Sequence, residues 1–485
     1  MPDATPWTVA CAADTRGPHL DEAVHLFRTM RRFGGRLACT DAVFYVVGTV
    51  DADRIEPLLD LQVNIHVTEP TDPGNPYANK LRILQHHLPE TSLLALDTDI
   101  LFHGDPVDYL SNNAFCAKPV DQDPFTIEQW HRIFGGFGVV LPSARYLTSF
   151  HARETIPYFN SGVLAIPGVT VPTLHQSWKD CLHGLPPIFE ANPDINEHRF
   201  FADQVALAVA IVQSRILFRA LPLALNFPTH SPIHLIERPA EVSPVLLHHH
   251  HRYNCDNQYK ASGYAKADIA IAEINNFLLE PLQPESSNSA NDAEFDNRSF
   301  WQRRYDRDPE LGSGVGSRGE NASFKRQVIS SVIECMRPTN ILDVGCGDME
   351  VIGPIINHSG YKGLDISEVV TAKNRSLFPH LHFECRDFCS SQGREPEQFD
   401  LVMCFDVLIH QHRRVEYERF VEALVCSTRG IGLVSGYLSF PRSAYRSAIT
   451  AYHEPLSRTL RRHGATSISV IASYRDTSVL RFSMQ

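Results

Sequence analysis

The chain has 485 residues, of which 43% are hydrophobic and 21% are charged, proportions typical of a folded globular protein rather than a disordered or fibrous one. A chain of this length has room for two large domains or about three average ones. Its 44 basic and 56 acidic side chains give a net charge of −12 with neutral histidines, which argues against a large sequence-independent nucleic-acid surface.

The cysteines and the start of the chain indicate the compartment. Eleven cysteines are scattered without a Cys-x-x-Cys pair, so neither a zinc ribbon nor a thioredoxin-like site is predicted. The first residues, Met1 to Pro6, lack the basic and apolar regions of a signal peptide, and no apolar run reaches the roughly 18 residues of a membrane-spanning helix. We therefore expect reduced cysteines, no transmembrane segment and a cytoplasmic protein.

Strand and helix patterns alternate along the chain on both sides of a polar segment at 281–299. This segment is rich in Pro, Ser, Asn and acidic residues, and it predicts a linker between a domain at 1–280 and a domain at 300–485. Alternating strands and helices predict an α/β fold with a largely parallel sheet in both domains. The predicted strands are Trp7–Ala13, Ala42–Val47, Val63–Val67, Ser92–Leu96, Ile341–Val344, Tyr361–Leu364, His382–Glu384 and Leu401–Phe405. The predicted helices are His19–Phe33, Asn79–His87 and Phe324–Met336.

Two aspartates follow the strand that ends at Leu96. Alternation along an extended chain points the carboxylates of Asp97 and Asp99 toward the same side. Two carboxylates at a strand end can hold a hard divalent cation and leave positions open for phosphate oxygens. Taken alone, the pair is equally typical of a solvated acidic turn.

Five segments in order resemble nucleotide-sugar glycosyltransferases of the GT-A fold. They are residues 75–81 (Asn-Pro-Tyr-Ala-Asn-Lys-Leu), 93–106 around the aspartate pair, 158–164 (Tyr-Phe-Asn-Ser-Gly-Val-Leu), 201–204 (Phe-Ala-Asp-Gln) and 245–250 (Val-Leu-Leu-His-His-His). The resemblance implies a GT-A-like domain with a Rossmann-like mixed sheet. It also implies Mn²⁺ or Mg²⁺, a nucleotide-sugar donor, and a glycan or glycoconjugate acceptor.

The same resemblance implies roles for individual residues. The implied metal ligands are Asp97, Asp99, His248 and His250. Implied contacts to the donor and to the sugar and acceptor side are Lys80, Asn160, Ser161, Gly162 and Asp203, with Asn160 and Asp203 as the catalytic candidates. From the residues alone, other roles stay open: a solvated helix residue for Lys80, a turn former for Asn160, a helix cap for Asp203 and structural roles for the histidines.

A glycine turn follows the first strand of the second domain. Strand Ile341–Val344 runs into Gly345-Cys346-Gly347, where glycines allow a tight turn and close approach of a ligand to the backbone. No third glycine follows, so the turn alone is a weak dinucleotide motif.

Four ordered segments, residues 341–348, 361–367, 382–388 and 399–410, resemble class I S-adenosylmethionine-dependent methyltransferases. The resemblance implies a Rossmann-like domain that binds S-adenosylmethionine. Met349 stands where the family has its third glycine, which would narrow the space near the methionine part of the cofactor. Implied cofactor contacts are Asp343, Gly345, Gly347, Asp365, Asp387, Phe388 and Asp406, with Asp365 accepting hydrogen bonds from the ribose hydroxyls and Asp387 meeting the adenine amino group.

The approach to this domain resembles the lead-in of a bacterial subgroup of these methyltransferases. It is expected to fold over the cofactor, with Tyr305, Ser317 and Arg318 as contacts, although its composition equally fits a flexible glycine-rich linker. Methylation of a hydroxyl requires removal of its proton, and His410, with His412 behind it, is the candidate base. A histidine on a helix surface is the competing interpretation of His410.

Together these patterns predict a bifunctional enzyme that transfers a sugar from a nucleotide sugar and O-methylates a sugar hydroxyl of the product. No Asn-Pro-Pro-Tyr-type motif occurs at 404–407, which disfavours methylation of nucleic-acid amino groups. Two alternatives stay open. In one, the first half is a degenerate sugar-binding module that recruits substrate to the methyltransferase. In the other, the methyltransferase acts on a lipid or a small metabolite. The donor sugar, the acceptor, the methylated position and the oligomeric state are left open.

Overall fold

The computed structural model describes residues 6–72, 76–85, 87–234, 238–254, 258–281, 295–389 and 397–484. Its strands are β1 Trp7–Asp14, β2 Asp41–Val47, β3 Val50–Asp51, β4 Val63–Thr68, β5 Ser92–Leu96, β6 Ile100–Phe102, β7 Phe115–Pro119, β8 Tyr146–Leu147, β9 Glu154–Thr155, β10 Phe159–Ile166, β11 Phe218–Ala220, β12 Phe227–Pro228, β13 Leu246–His248, β14 Ile341–Val344, β15 Tyr361–Asp365, β16 His382–Cys385, β17 Phe399–Cys404, β18 Thr428–Gly436, β19 Ser469–Tyr474 and β20 Thr477–Ser483.

Its helices are α1 His19–Phe33, α2 Ala52–Asp60, α3 Lys80–Gln85, α4 Ile127–Gly136, α5 Val171–Ala191, α6 Pro193–Asn196, α7 Ala202–Gln213, α8 Ala265–Leu278, α9 Asn297–Arg307, α10 Gly319–Met336, α11 Glu368–Leu377, α12 Arg414–Ser427 and α13 Leu456–Arg462. The predicted strands and helices are all present, and the predictions for α1, β5 and β14 have the observed bounds.

The chain divides into two units. The first comprises Met1–Val47 and Thr68–Pro284, and the second comprises Gly48–Val67 and Glu285–Gln485. The predicted linker at 281–299 lies at this division, although its residues 282–294 are outside the described part of the chain. The grouping of Gly48–Val67 with the second unit has no counterpart in the sequence prediction.

The first unit is built around a mixed sheet. Its strands are ordered β11-β7-β10-β5-β1-β2, with β1 parallel to β2 and β5, and β10 antiparallel to β5 and β7. All five residues of β5 are buried, as expected of a strand that is covered on both faces of the sheet. A small sheet of order β12-β13-β6 places the end of β13 beside the segment that follows β5.

Helix α1 shows how the sequence determines a helix of the first unit. Its apolar residues recur at helical spacing and are buried, among them Leu20, Ala23, Phe27 and Met30. Acidic residues occupy its first turn and Arg31 and Arg32 its last, which complements the helix dipole.

The second unit has an eight-stranded sheet of order β16-β15-β14-β17-β18-β20-β19-β3. The first five strands are parallel, and β20 is antiparallel to β18 and β19. This is the Rossmann-like arrangement expected of a class I methyltransferase domain. The strand order reverses at β14 and β17, and ligands of such sheets bind outside the carboxyl ends of the strands at that point.

Two further predictions concern cysteines and membrane spans. The ten cysteines in the described residues form no disulfide bonds with one another. Among the helices described, none combines the length and the apolar character needed to cross a lipid bilayer.

Candidate active sites

The first unit has a cleft of about 600 Å³ at the carboxyl end of β5. Asp97 and Asp99 follow β5, and His248 ends β13. One ligand atom from each of these three side chains lies within 4.8 Å of the others. Two carboxylates and one imidazole form a donor set that suits Mn²⁺, so the residues present fit a divalent cation.

Neighbouring groups fix the orientation of His248. Its Nδ1 lies 2.9 Å from Asn226 Oδ1, and its Nε2 lies 3.2 Å from Asp99 Oδ1. Burial opposes the charge of His248, but the Asp99 carboxylate outweighs burial and raises the pKa of the imidazole. A Cβ added at Gly162 would lie 2.7 Å from His248 Cε1, so a glycine is needed there for the ring to fit.

His250 is not brought into this group. Its ring stacks on that of His248, with 3.6 Å between centroids, and its Nδ1 lies 3.0 Å from the His248 carbonyl oxygen. His250 lines the cleft, but among the described residues only Asp97, Asp99 and His248 form a cluster with metal-ligand spacing.

Lys80 connects the aspartates to the rest of the cleft. Its Nζ lies 2.8 Å from Asp97 Oδ1, 2.8 Å from Ser161 Oγ and 3.8 Å from Asp203 Oδ2. Burial opposes its charge, but the nearby carboxylates outweigh burial and raise the pKa of Lys80. The alternative of a solvated helix residue is therefore wrong for Lys80.

The predicted residues on the sugar side also converge. Ser161 Oγ donates to Asp203 Oδ2 at 3.0 Å, and Asn160 Oδ1 accepts from the Gly162 N–H at 2.8 Å. Burial raises the pKa of Asp203. Asp203 lies in the first turn of α7, and no side-chain hydrogen bond caps the N-terminus of that helix. The side chains of Lys80, Asn160, Ser161 and Asp203 all line the cleft.

Sequence reasoning missed two polar residues that contact the side chains of this cleft. Asp121, just after β7, accepts from Asn160 Nδ2 at 3.2 Å and pairs with the buried Lys118. Asn226 Nδ2 donates to Asn160 Oδ1 at 3.0 Å and so connects that side chain to His248. A search for acids after each strand would have found Asp121, whereas Asn226 carries no such signal.

The second unit has a cavity of about 450 Å³ at the ends of β14 and β17. Eight predicted cofactor contacts line it: Asp343, Gly345, Asp365, Asp387, Phe388, Asp406, Tyr305 and Ser317. Gly347 is placed by its N–H, which donates to Asp365 Oδ2 at 3.0 Å. The predicted contacts, which lie between Tyr305 and Asp406 in the chain, therefore meet around one cavity.

Backbone conformation explains the glycine turn. Gly345 and Gly347 have φ angles of 76° and 57°, in the left-handed region. A Cβ at Gly345 would lie 2.2 Å from Val407 Cγ2, so β14 and the segment after β17 approach closely only because position 345 has no side chain. Met349, which is 2% exposed, packs in the core instead of lining the cavity, so its expected narrowing of that space is wrong.

Burial shifts the pKa values of two acids that line this cavity. It raises the pKa of Asp343 to about 7 and that of Asp365 to about 6. Tyr361 donates to Asp343 Oδ2 at 2.8 Å, and the Ser367 N–H donates to Asp365 Oδ1 at 2.9 Å.

Asp406 has partners that the sequence did not reveal. Its Oδ2 lies 2.5 Å from Nζ of Lys325, a fully buried residue of α10, and Ser435 and Tyr474 hydroxyls donate to its Oδ1. Burial opposes the charge of Asp406, but Lys325 outweighs burial and lowers the pKa of the carboxyl. Lys325 lies in an amphipathic helix like many lysines, so no sequence signal identifies it.

The lead-in segment lies against the glycine turn. The Tyr305 hydroxyl lies 3.1 Å from Ser313 Oγ, which donates to Asp348 Oδ1 at 2.9 Å. Arg318 forms an ion pair with Asp348 and does not line the cavity. The flexible-linker interpretation of this segment is wrong.

His410 lines the same cavity and has a defined orientation. Its Nδ1 lies 2.6 Å from the Ile449 carbonyl oxygen, so Nδ1 carries the proton and Nε2 has a free lone pair. Burial lowers its pKa, which keeps the imidazole neutral. His412 stacks on Phe295 with 4.4 Å between ring centroids.

The family model that matches this chain covers four of the five motif segments of the first unit, all but 245–250. Residues 21–215 match the family model described as the Rhodobacterales glycosyltransferase domain. No curated protein matches the sequence.

Several solved structures with similarity to this chain are methyltransferases. Magnesium protoporphyrin IX methyltransferase ChlM from Synechocystis PCC 6803, with bound SAM, is 16% identical and covers 40% of this chain and 100% of its own, with a TM-score of 0.30. The N-methyltransferase NodS from Bradyrhizobium japonicum WM9 is 16% identical and covers 39% of this chain and 99% of its own, with a TM-score of 0.31. The sugar N-methyltransferase KedS8 from Streptoalloteichus sp. ATCC 53650 is 14% identical and covers 42% of this chain and 100% of its own, with a TM-score of 0.28.

The second unit has its own evidence for the fold, a parallel sheet of Rossmann-like order that ends in an antiparallel pair. The chain therefore joins a domain that matches a glycosyltransferase family model to a domain with the Rossmann-like fold of class I methyltransferases.

Proposed function

We propose that the protein is a cytoplasmic bifunctional enzyme. Its first domain transfers a sugar from a nucleotide-sugar donor to a glycan or glycoconjugate, and its second domain O-methylates a sugar hydroxyl with S-adenosylmethionine. The observation that carries the first activity is the convergence of Asp97, Asp99 and His248 in a cleft large enough for a small ligand.

The residues of the cleft have separable tasks in sugar transfer. Asp97, Asp99 and His248 would hold the cation, which when bound neutralises the departing nucleoside diphosphate as a Lewis acid. Lys80 adds a positive charge beside Asp97 for the donor phosphates. Asn160 and Asp203 would orient the sugar, and Asp121 supplies a further acceptor of sugar hydroxyls.

The second cavity supports methyl transfer through groups of known orientation. Asp365 would accept hydrogen bonds from the ribose hydroxyls, while Asp387 and Phe388 would contact the adenine. His410 would take the acceptor hydroxyl proton at Nε2, because its Nδ1 donates to the Ile449 carbonyl and so fixes the tautomer.

A metal-supplemented screen of nucleotide sugars tests the first activity in the full-length protein. Thermal stabilisation and donor hydrolysis are measured with MnCl₂, and S-adenosylhomocysteine binding is measured in parallel. We expect Asp97→Ala and Asp99→Ala to abolish metal-dependent turnover and to leave S-adenosylhomocysteine affinity within about twofold. The cavity variant Asp365→Ala should give the reverse pattern.

One outcome would favour a sugar-binding module in place of a transferase. In that outcome the wild type binds acceptor but turns over no nucleotide sugar, and the two aspartate variants bind acceptor as well as the wild type does.

A further inference from the structure

Glu22 is a buried carboxylate that neither motif includes. It lies in the first turn of α1, and its side chain is 0% exposed. A buried carboxylate is costly unless it is paired and hydrogen-bonded. Burial opposes its charge, but His19 and His251 outweigh burial and lower the pKa of Glu22 to about 2, so the carboxylate is ionised near neutral pH.

Four donor groups surround this carboxylate. His251 Nδ1 lies 2.5 Å from Oε1, and the Tyr253 hydroxyl donates to the same oxygen at 2.9 Å. The Thr98 hydroxyl donates to Oε2 at 3.2 Å, and His19 Nδ1 lies 3.4 Å from that oxygen.

The three donors other than His19 belong to the two segments that carry the candidate metal ligands. Thr98 lies between Asp97 and Asp99, while His251 and Tyr253 come three and five residues after His248. Glu22 contacts none of the candidate metal ligands itself. Its buried side chain connects the two segments that carry them.

The second segment needs such support. His250 and His251 have φ angles of 48° and 56°, a left-handed conformation that costs free energy for residues with side chains. It persists where surrounding contacts hold it, and the Glu22–His251 ion pair provides such a contact.

We propose that Glu22 is a positioning residue of the metal centre. It holds the turn at Asp97–Asp99 and the segment after His248 at the separation that places three ligand atoms around one divalent cation. This role rests on the proposed metal-dependent function. Groups hydrogen-bonded directly to a metal ligand typically change metal affinity by about 10- to 100-fold when removed, and Glu22 acts one contact further from the cation.

The test is Mn²⁺ affinity of the full-length protein, measured by titrating MnCl₂ alone and following the electron paramagnetic resonance signal of free Mn²⁺. Glu22→Gln keeps the size of the side chain and removes its charge, and we expect affinity to fall about tenfold, the lower end of the range for direct partners of metal ligands. Glu273→Gln is the matched control. It breaks a His103–Glu273 pair of 2.8 Å on the surface of the same unit and should leave affinity unchanged.

A second pair of variants decides the matter if Glu22→Gln does not fold. Thr98→Val removes one donor to Glu22, whereas Thr98→Ser retains the hydroxyl. We expect about two- to tenfold weaker Mn²⁺ binding for the valine variant and wild-type affinity for the serine variant.

The outcomes separate this role from the metal site itself. Wild-type affinity in Glu22→Gln and Thr98→Val, with Mn²⁺ bound by the wild type, would overturn the positioning role and leave the proposed function standing. Absence of Mn²⁺ binding by the wild type would overturn the metal centre and this role together.

Discussion

Asp343 is a buried acid whose charge opposes folding of the second domain. Burial raises its folded pKa to about 7 from the ordinary value of 3.8. Between these two values the folded state binds more protons than the unfolded state, so stability falls as pH rises from about 4 to 7. Above pH 7 the folded domain carries the full cost of a buried carboxylate.

We therefore expect Asp343→Asn to raise the melting temperature of the ligand-free protein at pH 8 and to raise it much less at pH 5, where only part of the cost of ionisation is present. An asparagine oxygen still accepts from the Tyr361 hydroxyl, so the charge is the main change. The gain at pH 8 should correspond to about 1–4 kcal/mol. Thermal unfolding at both pH values checks the difference, and an equal shift at pH 5 and pH 8 would contradict the assignment to ionisation.

Asp365 gives a second pH dependence, in binding. Burial raises its pKa to about 6, so it loses its charge as the pH falls through that value. A protonated carboxyl is a poorer acceptor for two ribose hydroxyls. We expect the affinity for S-adenosylhomocysteine to weaken below about pH 6. Titration calorimetry at pH 5.5 and pH 7.5 measures this change. Asp365→Ala should bind weakly at both values, and a wild-type affinity independent of pH would count against this contact.

At the residue scale, sequence patterns predicted groups that lie next to a strand end. Asp97, Asp343 and Asp365 sit at such positions and line the two sites. Glu22 and Lys325 were missed because their partners are distant in the chain: Glu22 meets Thr98 and His251, and Lys325 meets Asp406. Only folding brings such pairs together.

At the scale of elements, the turn after β14 depends on Gly345. Its φ of 76° and the 2.2 Å approach of Val407 to an added Cβ both oppose a side chain. Gly314 is a matched control, because its φ of 90° is similarly unfavourable but an added Cβ there meets nothing within 4 Å. Comparing the two separates steric collision from backbone strain.

We expect Gly345→Ala to weaken S-adenosylhomocysteine binding at least tenfold, because relief of the collision moves β14 relative to the segment after β17. Gly314→Ala should lower the stability by about 1–3 kcal/mol and keep most of the affinity. Calorimetric titration and thermal unfolding of both variants measure these effects. Equal loss of affinity in both would mean that strain alone governs the turn.

Elements with strong periodicity were predicted well, and short ones were not. Helix α1 and strand β5 have clear apolar patterns, and their predicted bounds are those observed. Helix α2 contains Pro57, which obscures a helical pattern, and β3 has only two residues. The strand β3 exists through its pairing with β19, where Asp51 faces Ser469, and so depends on a partner more than 400 positions away.

At the scale of the whole molecule, the sequence predicted two α/β domains and a boundary near 281–299, but not that Gly48–Val67 groups with the second unit. Within that unit, Arg458 pairs with Glu56 and Asp60, and Ser439 Oγ donates to Asn64 Oδ1 at 2.8 Å. These contacts join residues about 400 positions apart, and local patterns carry no information about them.

The two proposed activities also lead to a kinetic prediction. Covalent linkage keeps the second site at a high effective concentration near a product just released by the first, on the order of millimolar for short flexible links. Two full-length variants test this: Asp97→Ala lacks sugar transfer, and Asp365→Ala lacks methylation. In a dilute equimolar mixture, each product must diffuse from one molecule to another.

We expect the mixture to form methylated product with a longer lag and roughly tenfold more slowly than wild type at nanomolar enzyme. The control is wild type mixed with an equal amount of the Asp97→Ala, Asp365→Ala double variant, which matches total protein. The deficit should shrink as enzyme concentration rises, because encounters between molecules become frequent. A mixture as fast as the control at every concentration would show that the two reactions are not coupled. The fusion would then serve some end other than transfer of the sugar product between sites.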